Sequence, residues 1–205
     1  VKSRSNSGEH YYSKQPKSKP RIGLIRTHLR GRLFEFLTTS GVFSYRRVDL
    51  GTRLLIESMI LPKEGYILDL GCGYGAVGIA AAVFDPDLHI VMVDVNERAV
   101  RTAKENARRY RVANVDIRQG FLYEPVEDMR FDAILSNPPL SAGLRIVKHI
   151  VLGAGKLLNE DGLFQLVVRS KIGGRQFAKE LEAAYGNVEV IARKSGYRVL
   201  LSKKP

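Results

Sequence analysis

The stretch YILDLGCGYGAVGIAAAVF, residues 66–84, constrains this chain more than any other. Its first five residues, one acid among apolar side chains, read as a short buried strand. Gly71, Gly73 and Gly75 follow, and a run of small apolar residues then opens a helix. A strand that turns straight into a buried helix needs a parallel neighbour, reached by a crossover. The chain goes on to repeat that unit. HIVMVDV is a second strand, and residues 96–110 form a helix with Ala99, Val100, Ala103, Ala107 and Tyr110 on one face. VDIRQ and residues 131–136 are a third and a fourth strand, 142–158 a helix, GLFQLVV a fifth strand and 174–185 a last helix. The end differs: NVEVIARKSGYRVLLSKK holds two strands with only Lys194-Ser195-Gly196 between them. That loop is too short for a crossover, so this pair is antiparallel. The pattern predicts an α/β fold, a doubly wound, Rossmann-like parallel sheet with helices on both faces and one reversed strand in a closing hairpin.

Residues 61–205 hold this core, and 21–60 read as an extension of the same domain. In the extension, residues 22–48 read as a helical turn followed by a hairpin, in which Arg32 to Thr38 and Val42 to Val48 flank TTSG and are expected to pair. Asp49 or Thr52 caps a helix running to about Met59. Residues 1–20, rich in Ser, Lys and Pro, form a basic arm that is expected to be mobile over its first nine residues. With Tyr11 and Tyr12 beside Lys14, Lys17 and Lys19, it is either a nucleic-acid arm or a solubilising tail.

Charge bears on the partner. The 33 Lys and Arg against 21 Asp and Glu give a net charge of +12. Such an excess usually marks a polyanion, most often nucleic acid, and the plain alternative is a solvated charged surface. The single cysteine, Cys72, excludes an intrachain disulfide and suits a reducing cytoplasm. The longest apolar run, Ala76 to Phe84, is too short for a bilayer. Four scattered histidines and one cysteine show no ligand spacing, so no metal is expected. Monomer and homodimer both stay open.

The glycine loop and its acids point to a cofactor. Glycines where a strand meets its helix let backbone approach a ligand closely. Asp94 ends the second strand about twenty residues on, where an acid suits the two hydroxyls of a ribose. Together they predict an adenosine-containing cofactor at the carboxyl edge of the sheet. Gly71-x-Gly73-x-x-Ala76 also fits a dinucleotide fingerprint. Three features favour S-adenosylmethionine: Asp69 stands ready for a cationic amino-acid end, Asn137-Pro138-Pro139 follows the fourth strand, and the sheet ends in a hairpin.

The Asn-Pro-Pro run limits the chemistry. Proline lacks an N–H and cannot extend a central strand, so the strand stops with Asn137 at its lip. An exocyclic base amine is a poor nucleophile because its lone pair is delocalised into the ring. By analogy with the methyltransferases that these residues resemble, the Asn137 side-chain oxygen and the Pro138 carbonyl would bind both amino hydrogens and stabilise charge developing on nitrogen. Placement of that kind supplies roughly 7–11 kcal/mol of barrier reduction at best.

These residues resemble the class I S-adenosylmethionine-dependent methyltransferases. LDLGCGYG looks like their first motif, Asp94 their second acidic position and NPPL their fourth. More narrowly, SGVFSYRRVDLGTRLLIE and NPPLSAG resemble the ribosomal RNA small-subunit guanine-N2 methyltransferases, from about His10 to the end. The resemblance implies a seven-stranded sheet of order 3-2-1-4-5-7-6, counted from the first core strand. It implies that Asp69 and the backbone of Gly71, Cys72, Gly73 and Gly75 meet the methionine end, that Asp94 with Val95 meets the ribose, and that Asn137, Pro138 and Pro139 hold the target amine. Where many relatives carry an aromatic after the second proline, this chain has Leu140; Phe43, Tyr45 or Tyr74 then supplies the stacking face. Where many carry an acid for the adenine amino group, this chain has Phe121, which is expected to flank the adenine. Many bacterial members have a second, non-catalytic domain; this chain leaves no room for one, and its substrate recognition is expected to differ.

Basic residues complete the reading. Arg26, Arg30, Arg32, Arg46 and Arg47 precede the core, and Lys171, Arg175, Arg193, Lys194 and Arg198 lie near its end. They are expected to grip phosphates around a flipped or single-stranded base, with Arg46, Arg47 and Lys171 nearest the substrate. The leading expectation is an RNA methyltransferase acting on guanine N2, in ribosomal RNA first and transfer RNA second. Glutamine methylation in a protein, adenine N6 methylation in DNA and a non-catalytic RNA-binding module are the alternatives.

Overall fold

The computed structural model describes residues 19–44, 46–138, 143–171 and 174–205. The basic arm up to residue 18 therefore lies outside the described residues, as do Tyr45, Pro139 and Leu140.

Seven strands form the core sheet: β3 (Tyr66–Leu70), β4 (His89–Asp94), β5 (Val115–Gln119), β6 (Phe131–Ser136), β7 (Leu158–Arg169), β8 (Glu189–Lys194) and β9 (Tyr197–Lys203). Their spatial order is β5-β4-β3-β6-β7-β9-β8, the order that the family resemblance implied. β5, β4, β3, β6 and β7 run parallel, and β9 is antiparallel to both its neighbours. β7 begins at Leu158, four residues before the expected start; Leu158 pairs with Phe131, and a register shift follows.

Alternation along the strands sorts side chains into two cores. Ile67, Ile90, Met92, Ala133 and Leu135 face α2 (Ala76–Phe84), α3 (Glu97–Tyr110) and the N-terminal extension. Leu68, Leu70, Val91, Val93 and Ile134 face α4 (Gly143–Leu157) and α5 (Gly174–Tyr185). This is the two-faced cover that an all-apolar parallel strand requires. None of the described helices is long and apolar enough to cross a membrane.

The extension corrects the expected helical turn and hairpin, because the residues before Arg30 are a strand. Its strands are β1 (Ile22–Leu29) and β2 (Arg32–Thr39), not 32–38 with 42–48. The turn is Arg30-Gly31, with φ of 46° and 77°, the paired positive values of a two-residue hairpin turn. Ser40-Gly41 does form a turn, but it leads into a loop whose Val42 and Val48 are buried without a strand. Their burial explains the apolar spacing that suggested one.

β2 is an edge strand, and α3 covers it. Asn106 accepts from the Leu37 N–H at 2.7 Å and donates to the Leu37 carbonyl at 2.9 Å. Tyr110 Oη accepts from the Glu35 N–H, and Thr39 meets Thr102 at 2.9 Å. Phe34 and Phe36 pack against Tyr110 beneath the hairpin. Helix α1 (Leu50–Ser58), capped by Asp49, closes this layer. Gln165 on β7 bonds both backbone groups of Ile60, fixing the chain just past the end of α1.

Candidate active site

At the carboxyl ends of β3, β4 and β6 lies a pocket of about 680 Å³. Such an edge is where open α/β sheets hold ligands. One wall is the glycine turn. Gly71, Gly73 and Gly75 all have positive φ (76°, 57° and 93°), which side chains with a Cβ rarely adopt. The Gly71 and Cys72 N–H groups donate to the Val93 carbonyl at 2.8 and 3.0 Å, locking the turn onto β4. A Cβ on Gly71 or Gly73 would meet no atom within 4 Å, so the space above the turn is open.

Both predicted acids line this pocket. Asp94 Oδ2 accepts from the Gly73 N–H and Oδ1 from the Asn96 N–H, each at 2.8 Å. Burial raises the Asp94 pKa, and the backbone N–H groups of Asn96, Gly73 and Val95 work against that rise. Asp69 accepts from the Gly78 N–H at 2.8 Å, at the start of α2. Burial pushes its carboxyl up to about 7; the Gly78 bond opposes the shift and the Asp94 charge adds to it. Burial likewise raises the Cys72 thiol well above its ordinary value.

The opposite wall carries Asn137 and Pro138, just past β6. Asn137 Nδ2 donates to Asp49 Oδ2 at 3.2 Å and to Thr52 Oγ1 at 2.9 Å. Behind Asp49, the Tyr197 hydroxyl donates to Oδ1 at 3.3 Å, and Arg169 Nε donates to that hydroxyl at 2.9 Å.

The structure brings Asp69, Gly71, Cys72, Gly73, Asp94, Val95, Phe121, Asn137, Pro138 and Phe43 to one pocket. Gly75 sits behind the turn as the left-handed N-cap of α2. Phe43 is 47% and Phe121 40% exposed. Tyr74, 3% exposed, packs on Phe36 at 5.8 Å and belongs chiefly to the core, which leaves Phe43 as the accessible one of the two described stacking candidates. Arg46 and Arg47 are exposed on the loop entering α1, and Lys171 is exposed just past β7. Three other cations are engaged in the fold. Arg26 pairs with Glu35 across the hairpin, Arg30 binds the Met59 carbonyl, and Arg198 Nη2 donates to the Ser170 carbonyl at 3.4 Å. Sequence reasoning missed Asp49, Thr52, Arg169 and Tyr197 as pocket residues. Asp49 and Thr52 lie inside SGVFSYRRVDLGTRLLIE, where their local signal is that of helix caps.

The site and fold agree with what the chain is similar to. Residues 33–201 match the family model described as methyltransferase small domain. The chain belongs to that family. The YbxB protein of Bacillus subtilis, described as uncharacterized, is 40% identical over 96% of this chain and 98% of its own length. A ribosomal RNA small subunit methyltransferase C of Shewanella amazonensis is 30% identical over 93% of this chain and 55% of its own length. The chain thus spans about half the length of that relative. Among solved structures, the T. thermophilus 16S rRNA guanine-N2 methyltransferase RsmC, in complex with AdoMet and guanosine, matches with a TM-score of 0.79. Its identity is 26%, over 92% of this chain and 51% of that one.

Proposed function

We propose that this chain transfers a methyl group from S-adenosylmethionine to an exocyclic amino nitrogen of a base in RNA, with guanine N2 of ribosomal RNA the first choice and transfer RNA second, acting in the cytoplasm. The observation that carries this reading is the shared pocket: Asn137 and Pro138 line the same 680 Å³ space as the glycine turn, Asp69 and Asp94.

The residues present fit the cofactor. Asp94 takes three backbone N–H groups, from Gly73, Asn96 and Val95, and a carboxylate has about four acceptor positions, so one stays open for a ribose hydroxyl. The open space above Gly71 and Gly73 suits the methionine end, and Asp69, which lines the same pocket, would favour its ammonium. Val95 and Phe121 line the same pocket and would flank the adenine. S-adenosylmethionine supplies a methyl group already activated as a sulfonium, so the protein's task is placement. The Asn137 oxygen and the Pro138 carbonyl accept the two amine hydrogens, turn the nitrogen lone pair toward the methyl and stabilise positive charge developing on nitrogen. Once the methyl has moved, a proton leaves the nitrogen to solvent, and no strong base is required. Phe43 offers a ring on which the target base stacks.

RNA as the acceptor is supported by charge. A second groove of about 930 Å³ shares Phe121 and Leu122 with the pocket. Arg145, Lys148 and Lys156 on α4, with Arg130, line it against Glu124 and Glu127. Together with Arg46, Arg47 and Lys171, these cations suit phosphates on either side of a target nucleotide.

The test is incubation with labelled S-adenosylmethionine, separated RNA fractions and a protein extract, followed by mass spectrometry of nucleosides and of protein digests. N2-methylguanosine is the expected product. Label confined to glutamine side chains would overturn the reading. In Asn137→Ala, methyl transfer is expected to fall at least about 100-fold while cofactor binding persists.

A further inference from the structure

Asn137 is an amide, and an amide has two unlike ends. Which end meets the substrate decides what the site can recognise, and the residues behind it fix that choice. A carboxylate only accepts, so the end of the amide facing Asp49 must be the NH2. Asp49 Oδ2 takes one of its hydrogens and Thr52 Oγ1 lies within reach of the other. Turning the amide over would set its oxygen against a carboxylate oxygen with no hydrogen between them.

Asp49 itself has little freedom. The same Oδ2 accepts from the Gly51 and Thr52 N–H groups at 2.9 and 3.1 Å, the N-terminal cap of α1. Oδ1 is held by the Tyr197 hydroxyl. Gly51 keeps this stack close: a Cβ there would lie 2.9 Å from Asp49 Oδ2 and 2.9 Å from two Tyr197 ring atoms. The far end of α1 is fixed by Gln165, so the helix cannot slide to release the cap.

We propose that Asp49 is a positioning residue that locks the Asn137 oxygen outward and so makes this site select a ligand N–H donor, an exocyclic amine, over a carbonyl or a ring nitrogen. The proposal rests on the methyltransferase reading above. The sequence reinforces it, because Pro138, next to the amide, carries no N–H and can only accept there.

A variant series separates this role from helix capping. Asp49→Ser keeps an N-cap oxygen but is one atom shorter and no longer reaches Asn137. Its melting temperature is expected to stay near wild type, while kcat falls on the order of 100-fold with KM for both substrates unchanged. Asp49→Asn is expected to restore most of the rate. Its oxygen is pinned by the Gly51 and Thr52 N–H groups at the same place and still accepts from Asn137. Asp49→Ala loses both cap and rate. In the Asn137→Ala background, Asp49→Ser should cost nothing further, because the group it positions is gone.

A readout independent of activity is the Asn137 side-chain amide in an NMR spectrum, assigned by its loss in Asn137→Ala. Its protons are expected to exchange slowly in wild type and in Asp49→Asn, and faster in Asp49→Ser. Wild-type kcat in Asp49→Ser, or a loss that persists in the Asn137→Ala background, would overturn the proposal. Absence of RNA methylation by the wild-type protein would instead count against the acceptor reading, with the amide-exchange result standing apart from it.

Discussion

The two walls of the pocket are held by bonds of very different span. On the glycine side, Gly78 bonds Asp69 nine residues away and Gly73 bonds Asp94 twenty-one away. On the amide side, Asn137 reaches back 85 and 88 residues to Thr52 and Asp49, and Tyr197 reaches 148. The first wall is made by one strand–turn–helix unit and its neighbour. The second is assembled only when the extension, β6, β7 and the last strand are all in place. A pocket built this way can keep its cofactor half while its acceptor half is altered, because the second wall shares few bonds with the first.

Breaking the glycine wall should have the largest effect. Gly75 has φ of 93°, and a Cβ there would lie 2.8 Å from Met92 Cε and 3.3 Å from Ala103 Cβ. Gly75→Val adds left-handed strain to overpacking, about 3 kcal/mol in all. For a domain of this size that lowers the melting temperature by roughly 6–12 °C. Cofactor binding, measured by calorimetry, should be lost with it. The same experiment on Asp49→Ser should leave cofactor binding intact, which is the contrast between the walls in measurable form.

The difference in span also explains what could be read from the sequence. The core strands, their helices, Asp69, Asp94 and Asn137 all carry local signals: apolar period, glycine spacing, a proline pair. The strand order came from family resemblance and not from any local pattern. The hairpin was misplaced because Ser40-Gly41 has turn chemistry as good as Arg30-Gly31, and only burial of Val42 and Val48 from a loop distinguishes them. Asp49 was legible as a cap but not as the partner of Asn137, since nothing near residue 49 refers to residue 137. Arg169 and Tyr197 carry no local mark of a pocket at all.

A medium effect is expected where the pocket opens. Arg145, Lys148, Leu152 and Lys156 share one face of α4, with Val147, Ile150, Val151 and Ala154 buried on the other. Reversing Lys148 and Lys156 to Glu puts two acids in the groove beside Phe121, where the proposed function places phosphates. RNA affinity is expected to fall about tenfold at moderate salt, with a shallower dependence of log affinity on log salt. Filter binding across a salt series measures both, and an unchanged slope would assign this groove to something other than RNA.

The last contrast concerns Asp69 and the cost of keeping an acid inside the glycine wall. Burial raises its carboxyl to about 7 in the folded protein, against an ordinary value of 3.8. Between those two values the folded state binds more protons than the unfolded one, so stability falls as pH rises from about 4 to about 7 and then levels. Asp69→Asn keeps an oxygen for the Gly78 N–H but has nothing to ionise, so this part of the pH dependence should vanish and the ligand-free variant should melt higher than wild type above pH 7. Saturating S-adenosylmethionine should narrow the gap, because an ammonium beside the carboxylate favours its ionised form and draws its pKa back down. Melting curves from pH 4 to 8, with and without cofactor, test both steps. If the cofactor stabilises Asp69→Asn as much as wild type, the amino-acid end of the ligand is held elsewhere along the turn.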